Sequence, residues 1–258
     1  MFSRSSDDRT DREGIHWDTS GMDTAQILLL WDVDHTLIEN GGVSKEIYAR
    51  AFDLLAGHPP TESIQTDGRT DFEIMANLLA ANDRPDAEHS PTEITSALRT
   101  AMDDKFAELK RRGSVLPGAR EVLLAVLEQP FIHQSVLTGN IAPNGRAKLA
   151  ALDLDQYIDF EVGGFGSDDV SRPCLVGHAQ RRASAKFGVS FDETTTVLVG
   201  DTVRDVQAAK LGGARVIAVA TGIDSVAKLA AEGADVVIDD LRDTAAVLRA
   251  VMELVALP

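Results

Sequence analysis

The 258-residue sequence predicts an α/β fold, a Rossmann-like parallel sheet flanked by helices with a small all-helical unit inserted after the first strand. Two observations carry this expectation. Short continuous apolar runs, typical of strands buried on both faces, alternate with helical patterns along most of the chain. The rhythm breaks once, for about seventy residues without a convincing strand, too long for an ordinary loop.

Residues 1–23 are polar, lack an apolar signal core and are too acidic for a transit peptide, so they read as a flexible N-terminal tail. The run AQILLLWDV (25–33) is the first strand. Within the insertion, residues 40–114, helices are expected near 43–57, 70–82 and 91–112. Thr70 with Glu73 and Ser90 with Glu93 fit capping boxes, and Pro91 occupies a favoured first-turn position. Residues 24–39 and 115–258 make up the sheet domain. Its later strands are expected at HQSVLT (133–138), DFEVGG (159–164), TTVLVG (195–200), RVIAVA (215–220) and ADVVID (234–239). Helices at 117–129, 143–152, 172–188 and 204–213 alternate with them.

Composition narrows the function. With 44% hydrophobic and 26% charged residues the chain can build a real core. No apolar run approaches the roughly 18 residues that cross a bilayer, so no membrane partner is expected. The formal charge of -16, from 41 acidic against 25 basic residues, disfavours nucleic acid. An anionic substrate must therefore meet a local cluster of cations or a metal. The single cysteine, Cys174, excludes an intramolecular disulfide framework or a cysteine zinc cage, and a cytoplasmic location is expected.

In open parallel sheets, ligands bind beyond the carboxyl ends of the strands. Three expected strand ends carry polar groups: Asp32-Val33-Asp34-His35-Thr36, Thr138-Gly139-Asn140, and Gly200-Asp201 with Asp205 four residues on. Arg172 opens the helix before the last of these. A carboxylate cluster repels itself unless a cation neutralises it, and oxygen donors of this kind suit Mg2+ together with substrate phosphate. A carboxylate, ionised at neutral pH because its ordinary pKa is about 3.9, is itself a nucleophile for phosphoryl transfer. Repulsion between two anions is then the barrier, which a metal and a nearby cation lower. A second carboxyl two residues away can protonate the leaving alkoxide and later deprotonate water.

The stretches DVDHT, LTGN, SRP and VGDTVRD resemble, in order and in strand-end placement, the four signature motifs of the haloacid dehalogenase-like hydrolase superfamily. The resemblance spans residues 25 to 240, and the insertion resembles that superfamily's alpha-helical cap. GRTDFEI (68–74) and LPGA (116–119) are similar to its phosphoglycolate phosphatase-like branch. The resemblance implies Asp32 as nucleophile and Mg2+ ligand, and Asp34 as general acid/base and, through its backbone carbonyl, metal ligand. It implies that Thr138 and the amides of Gly139 and Asn140 hold the phosphoryl oxygens. Arg172 matches the cation that neutralises phosphate and nucleophile, usually lysine in this branch. Asp201 is implied as a Mg2+ ligand and Asp205 as a supporting or alternate one.

Simpler readings stand beside these. Asp205 suits the first turn of a helix, Arg172 and Arg69 suit solvated surfaces, and His35 suits a turn. Arg69 alternatively reaches from the cap toward a substrate carboxylate. The implied activity is Mg2+-dependent hydrolysis of a small phosphorylated metabolite, phosphoglycolate-like by resemblance, through an aspartyl phosphate. A sugar-phosphate mutase shares both aspartates and is the enzymatic alternative. A catalytically silent binding or regulatory module is the other, although it has no need of all four motifs. Oligomeric state leaves no sequence signal.

Overall fold

A computed structural model describes residues 26–63, 65–84 and 89–256, so the tail expected at 1–23 lies outside the described residues. Its centre is β1 (Ile27–Trp31), five consecutive buried residues. The strand pairs in parallel with β4 (Ile132–Thr138) on one side and β6 (Thr196–Gly200) on the other, Trp31 lying opposite both Val136 and Val199. With β5 (Gly164–Phe165), β7 (Arg215–Val219) and β8 (Val236–Ile238), the six-stranded parallel sheet runs in the order β5-β4-β1-β6-β7-β8.

Alternation along β1 splits the core into two layers. Ile27, Leu29 and Trp31 face α4 (Ala119–Leu127) and α9 (Thr244–Val255). Leu28 and Leu30 face α6 (Arg172–Phe187) and α7 (Val203–Gly212). Helix α8 (Val226–Glu232) covers the same face near β8. Each such buried side chain contributes about 1.5–3 kcal/mol, which fixes the strand from which the site projects. The indole of Trp31 is satisfied by donating to Gln134 Oε1 at 3.2 Å.

The insertion folds as α1 (Val43–Ala56), α2 (Asp71–Ala81) and α3 (Pro91–Arg112) around its own apolar cluster, which includes Phe52, Met75 and Leu98. Helix α5 (Ala142–Ala151) belongs to the sheet domain, yet Ile141 and Ala151 at its ends join this cluster. Asn144 Nδ2 also donates to the Leu98 carbonyl at 3.1 Å, so α5 is the seam between the two units.

Three expectations change. A two-stranded antiparallel ribbon, β2 (Ile38–Glu39) with β3 (Ser114–Val115), closes the base of the insertion where no strand was expected. Two residues per strand are too few for a periodic signal. Segment 159–164 is mostly a 3-10 turn, Phe160–Val162, capped by the Asp159 side chain accepting from the Glu161 amide, and only Gly164–Phe165 pair as strand. A β-carbon at Gly164 would lie 2.5 Å from the Leu175 carbonyl, so glycine there lets α6 pack on the sheet edge. Finally, Ser90 and Glu93 form the full capping box, but Thr70 and Glu73 form only half of one. Thr70 accepts from the Glu73 amide, while the Glu73 carboxylate is drawn away by Arg69 and Arg204. Among the described residues no helix is long and apolar enough to cross a membrane.

Candidate active site

Beyond β1 the Asp32 amide still donates to the Val199 carbonyl at 2.8 Å, which holds Asp32 in line with the sheet. The chain then turns sharply. His35 adopts a left-handed conformation, φ 61, and the Leu37 amide donates back to the Val33 carbonyl. The turn presents Asp32 and Asp34 to one cleft and buries Thr36, whose hydroxyl donates to Asp201 Oδ1 at 3.2 Å. His35 itself pairs through Nδ1 with Glu39, consistent with a turn residue.

At the end of β4, Thr138 Oγ1 accepts from the Asn140 amide at 3.2 Å and from Asn140 Nδ2 at 2.7 Å. Gly139 has no room for a side chain, since a β-carbon would stand 2.0 Å from the Arg69 carbonyl. The insertion is stitched to this loop. The Asp71 amide donates to the Gly139 carbonyl at 2.7 Å, and the Ile141 amide donates to Asp71 Oδ2 at 2.8 Å.

From α6, the buried Arg172 donates through Nη2 to Asp32 Oδ1 at 2.7 Å and also to Asp205 Oδ1. Asp205 is fully buried behind the cleft and serves as the third residue of a capping box on α7. Its Oδ2 accepts from the Thr202 amide and hydroxyl at 3.0 and 2.6 Å, so the helix-turn reading and the cluster reading describe the same side chain.

The resulting cleft brings together Asp32, Asp34, Thr138, Gly139, Asn140, Arg172 and Asp201, with Arg69 at its wall. Arg69 is bonded to Glu73 rather than standing free. Sequence reasoning missed Lys148, which is 2% exposed and whose ammonium donates to both oxygens of Asp34 at 2.8 and 2.7 Å. It also missed Asn40, which donates to Asp34 Oδ1 at 2.9 Å. A lysine on a short helix reads as solvated until the insertion is known to cover that helix.

The carboxyls respond to these surroundings. Burial pushes Asp32 up to about 7; Arg172 opposes the rise, and the charges of Asp205 and Asp34 add to it. Burial likewise raises Asp201 well above the carboxylate range, reinforced by Asp205 and Asp32. For Asp34 burial also raises the pKa, but the Lys148 ammonium and the Asn140 and Asn40 donors outweigh it and bring the carboxyl down to about 2.

Asp32, Asp201 and Asp205 each offer an oxygen, all within 4.8 Å of one another. Asp201 Oδ2 is buried without a hydrogen-bond partner among the described residues. An orphaned buried carboxyl oxygen inside an all-oxygen cluster fits a hard divalent cation, which would displace the proton and satisfy that atom.

Comparison with known proteins agrees with this architecture. A family model described as haloacid dehalogenase-like hydrolase matches residues 29–210. A probable phosphatase, IndB, from Dickeya dadantii is 30% identical over 238 residues, covering 90% of this chain and 97% of that protein. A phosphoglycolate phosphatase from Pseudomonas putida is 26% identical over 223 residues, covering 83% of this chain and 77% of that protein. Among solved structures, CbbY from Rhodobacter sphaeroides in complex with phosphate shares the fold with a TM-score of 0.60. Its sequence is 18% identical, and the match covers 85% of this chain and 96% of that one.

Proposed function

The chain belongs to the haloacid dehalogenase-like hydrolases, and on that premise we propose that it is a Mg2+-dependent phosphatase cleaving a small phosphomonoester through an aspartyl phosphate on Asp32. One observation supports this above the rest: at the end of the central strand Asp32 faces the cleft, bonded to Arg172 and clustered with the unpartnered carboxylate oxygen of Asp201.

The substrate's phosphoryl group enters beside Thr138 and the amides of Gly139 and Asn140. Arg172, which lines the same cleft, brings its guanidinium charge beside that group. Asp32, Asp201 and the backbone carbonyl of Asp34, with Asp205 behind them, would hold Mg2+, which would supply positive charge to offset repulsion between nucleophile and phosphate. Asp32 attacks phosphorus, forming the O–P bond of the acyl phosphate as the bond to the alcohol oxygen breaks. A phosphoryl dianion beside Asp34 raises that carboxyl's affinity for a proton, which it passes to the departing alkoxide. In the second half Asp34, ionised again, takes a proton from water; the water oxygen attacks phosphorus and releases Asp32 and inorganic phosphate.

The helical insertion, residues 40–114, acts as a cap that excludes bulk water and selects the leaving group. A phosphoglycolate-type ester heads the substrate panel because one relative bears that name, and Arg69 at the cleft wall would have to leave Glu73 to meet its carboxylate. Hydrolysis of p-nitrophenyl phosphate is the test, measured with Mg2+, with EDTA and for Asp32→Asn. Activity is expected only for the wild-type chain with the metal. Turnover surviving Asp32→Asn, or none on any phosphoester, overturns the proposal.

A further inference from the structure

We propose that Lys148 is the positioning residue of the proton-transfer half of the site: it holds the Asp34 carboxylate apart from the metal-binding carboxylates and oriented toward the leaving oxygen. This rests on the reading of Asp34 as general acid/base.

A lysine that is 2% exposed is costly unless its charge is matched. Among the described residues its one ion pair is with Asp34, where it reaches both carboxylate oxygens at 2.7 and 2.8 Å, and its charge also offsets that of the buried Asp71. Asn140 Nδ2 donates to Oδ2 and Asn40 Nδ2 to Oδ1, each at 2.9 Å, and the Ser44 hydroxyl stands 3.4 Å from Oδ1. Asp34 is therefore held from three chain segments that meet only in the folded protein.

The site's other buried cation makes the opposite choice. Arg172 bridges Asp32 and Asp205, two members of the cluster that offers oxygens to a metal. The two cations thus separate Asp34 from the three carboxylates, Asp32, Asp201 and Asp205, that could hold a metal. Without Lys148, Asp34 would lie two residues from Asp32 with no full charge to hold it, free to turn toward the same cation. Lys148 also lies on α5, the helix shared between the insertion and the sheet domain, so it ties this orientation to the seated cap.

Two aryl esters of nearly the same shape separate positioning from general damage. Phenyl phosphate releases a phenol whose pKa is about 10 and gains from a proton as it departs. The p-nitrophenolate leaves readily without one. With the full-length protein and Mg2+, Lys148→Met is expected to lower kcat/KM, which reports the phosphoryl-transfer half alone, at least about tenfold more on phenyl phosphate than on p-nitrophenyl phosphate. Asp34→Asn should show the same contrast, and adding Lys148→Met to Asp34→Asn should cost nothing further on phenyl phosphate. Should Lys148→Met not fold, Lys148→Arg keeps the charge but not the compact ammonium. A selective loss on phenyl phosphate in that variant supports positioning, and an unchanged ratio between the esters overturns it. Equal losses on both esters for Lys148→Met, or additive losses in the double variant, also overturn it while Asp34→Asn still discriminates. If Asp34→Asn itself fails to discriminate, the acid/base reading of Asp34 falls and takes this inference with it.

Discussion

Asp32 and Asp34 leave the same strand end two residues apart and line one cleft, yet their carboxyls are driven in opposite directions, to about 7 and about 2. Burial penalises both charges, so the difference lies in how cations are shared. Asp32 divides Arg172 with Asp205 and faces further negative charge from Asp205 and Asp34. Asp34 is directly paired with Lys148 through both oxygens, although that charge also reaches the buried Asp71, and it has two side-chain amides besides. The half that is left short of positive charge is the half that calls for a metal. The half that is fully paired needs no metal to hold its charge.

The largest way to break this division is Asp32→Asn. Loss of the nucleophile should lower kcat by about 10⁴-fold or more on any ester. Asp34→Asn should cost about 10²–10⁴-fold in kcat/KM on an alkyl ester and much less in kcat/KM on p-nitrophenyl phosphate. Equal losses in the two variants on p-nitrophenyl phosphate would erase the distinction between the halves.

Arg172→Met comes next. It strands Asp32 and Asp205 without their common cation, and removing one partner of a buried pair destabilises by about 3–5 kcal/mol. Urea unfolding of the metal-free protein measures this, and a change within error would show that Arg172 is not the charge balancing that half.

The pH dependence of metal protection sharpens the contrast further. With its folded pKa raised to about 7, Asp32 binds its proton more tightly folded than unfolded. Its contribution to stability is therefore lost as pH rises from the ordinary carboxylate range through about 7. Above that range the unneutralised charge is present in full and a cation has no proton to displace. The rise in Tm caused by Mg2+ should thus be larger at about pH 8 than at about pH 5. Asp34 has the opposite sign: its stabilisation is complete above the unfolded carboxylate value and disappears as pH falls through about 2.

The smallest effect belongs to Asn40→Ala, which removes one donor from Asp34 but leaves Lys148 in place. NMR titration of the Asp34 carboxyl carbon in the metal-free protein should show its pKa move part of the way back toward about 3.9, the ordinary value. No movement would mean that Lys148 alone sets it.

Much of the fold and of the cleft is legible in the amino-acid sequence, for identifiable reasons. A parallel sheet gathers its strand ends on one edge, so the order of apolar runs alone makes Asp32, Thr138 and Asp201 readable as neighbours. Lys148 is not readable in this way, because its burial depends on α3 lying against α5, a contact between segments far apart in the chain. Glu73 misleads for the same kind of reason. A local rule assigns it to a helix cap, and Arg204 from the sheet domain helps to draw it elsewhere. Asp205 reads as a choice between helix turn and cluster, but its two oxygens serve both.

The division between the halves is tested most directly by rapid acid quench of a single turnover of p-nitrophenyl phosphate with Mg2+, followed by peptide mass spectrometry. A base-labile phosphoryl group is expected on the peptide containing Asp32. It should persist longer in Asp34→Asn, where the water-activating step has lost its base. Product formation with no phosphoryl group on that peptide, or one that decays equally fast in Asp34→Asn, would contradict the assignment of the nucleophile to one aspartate and the proton to the other.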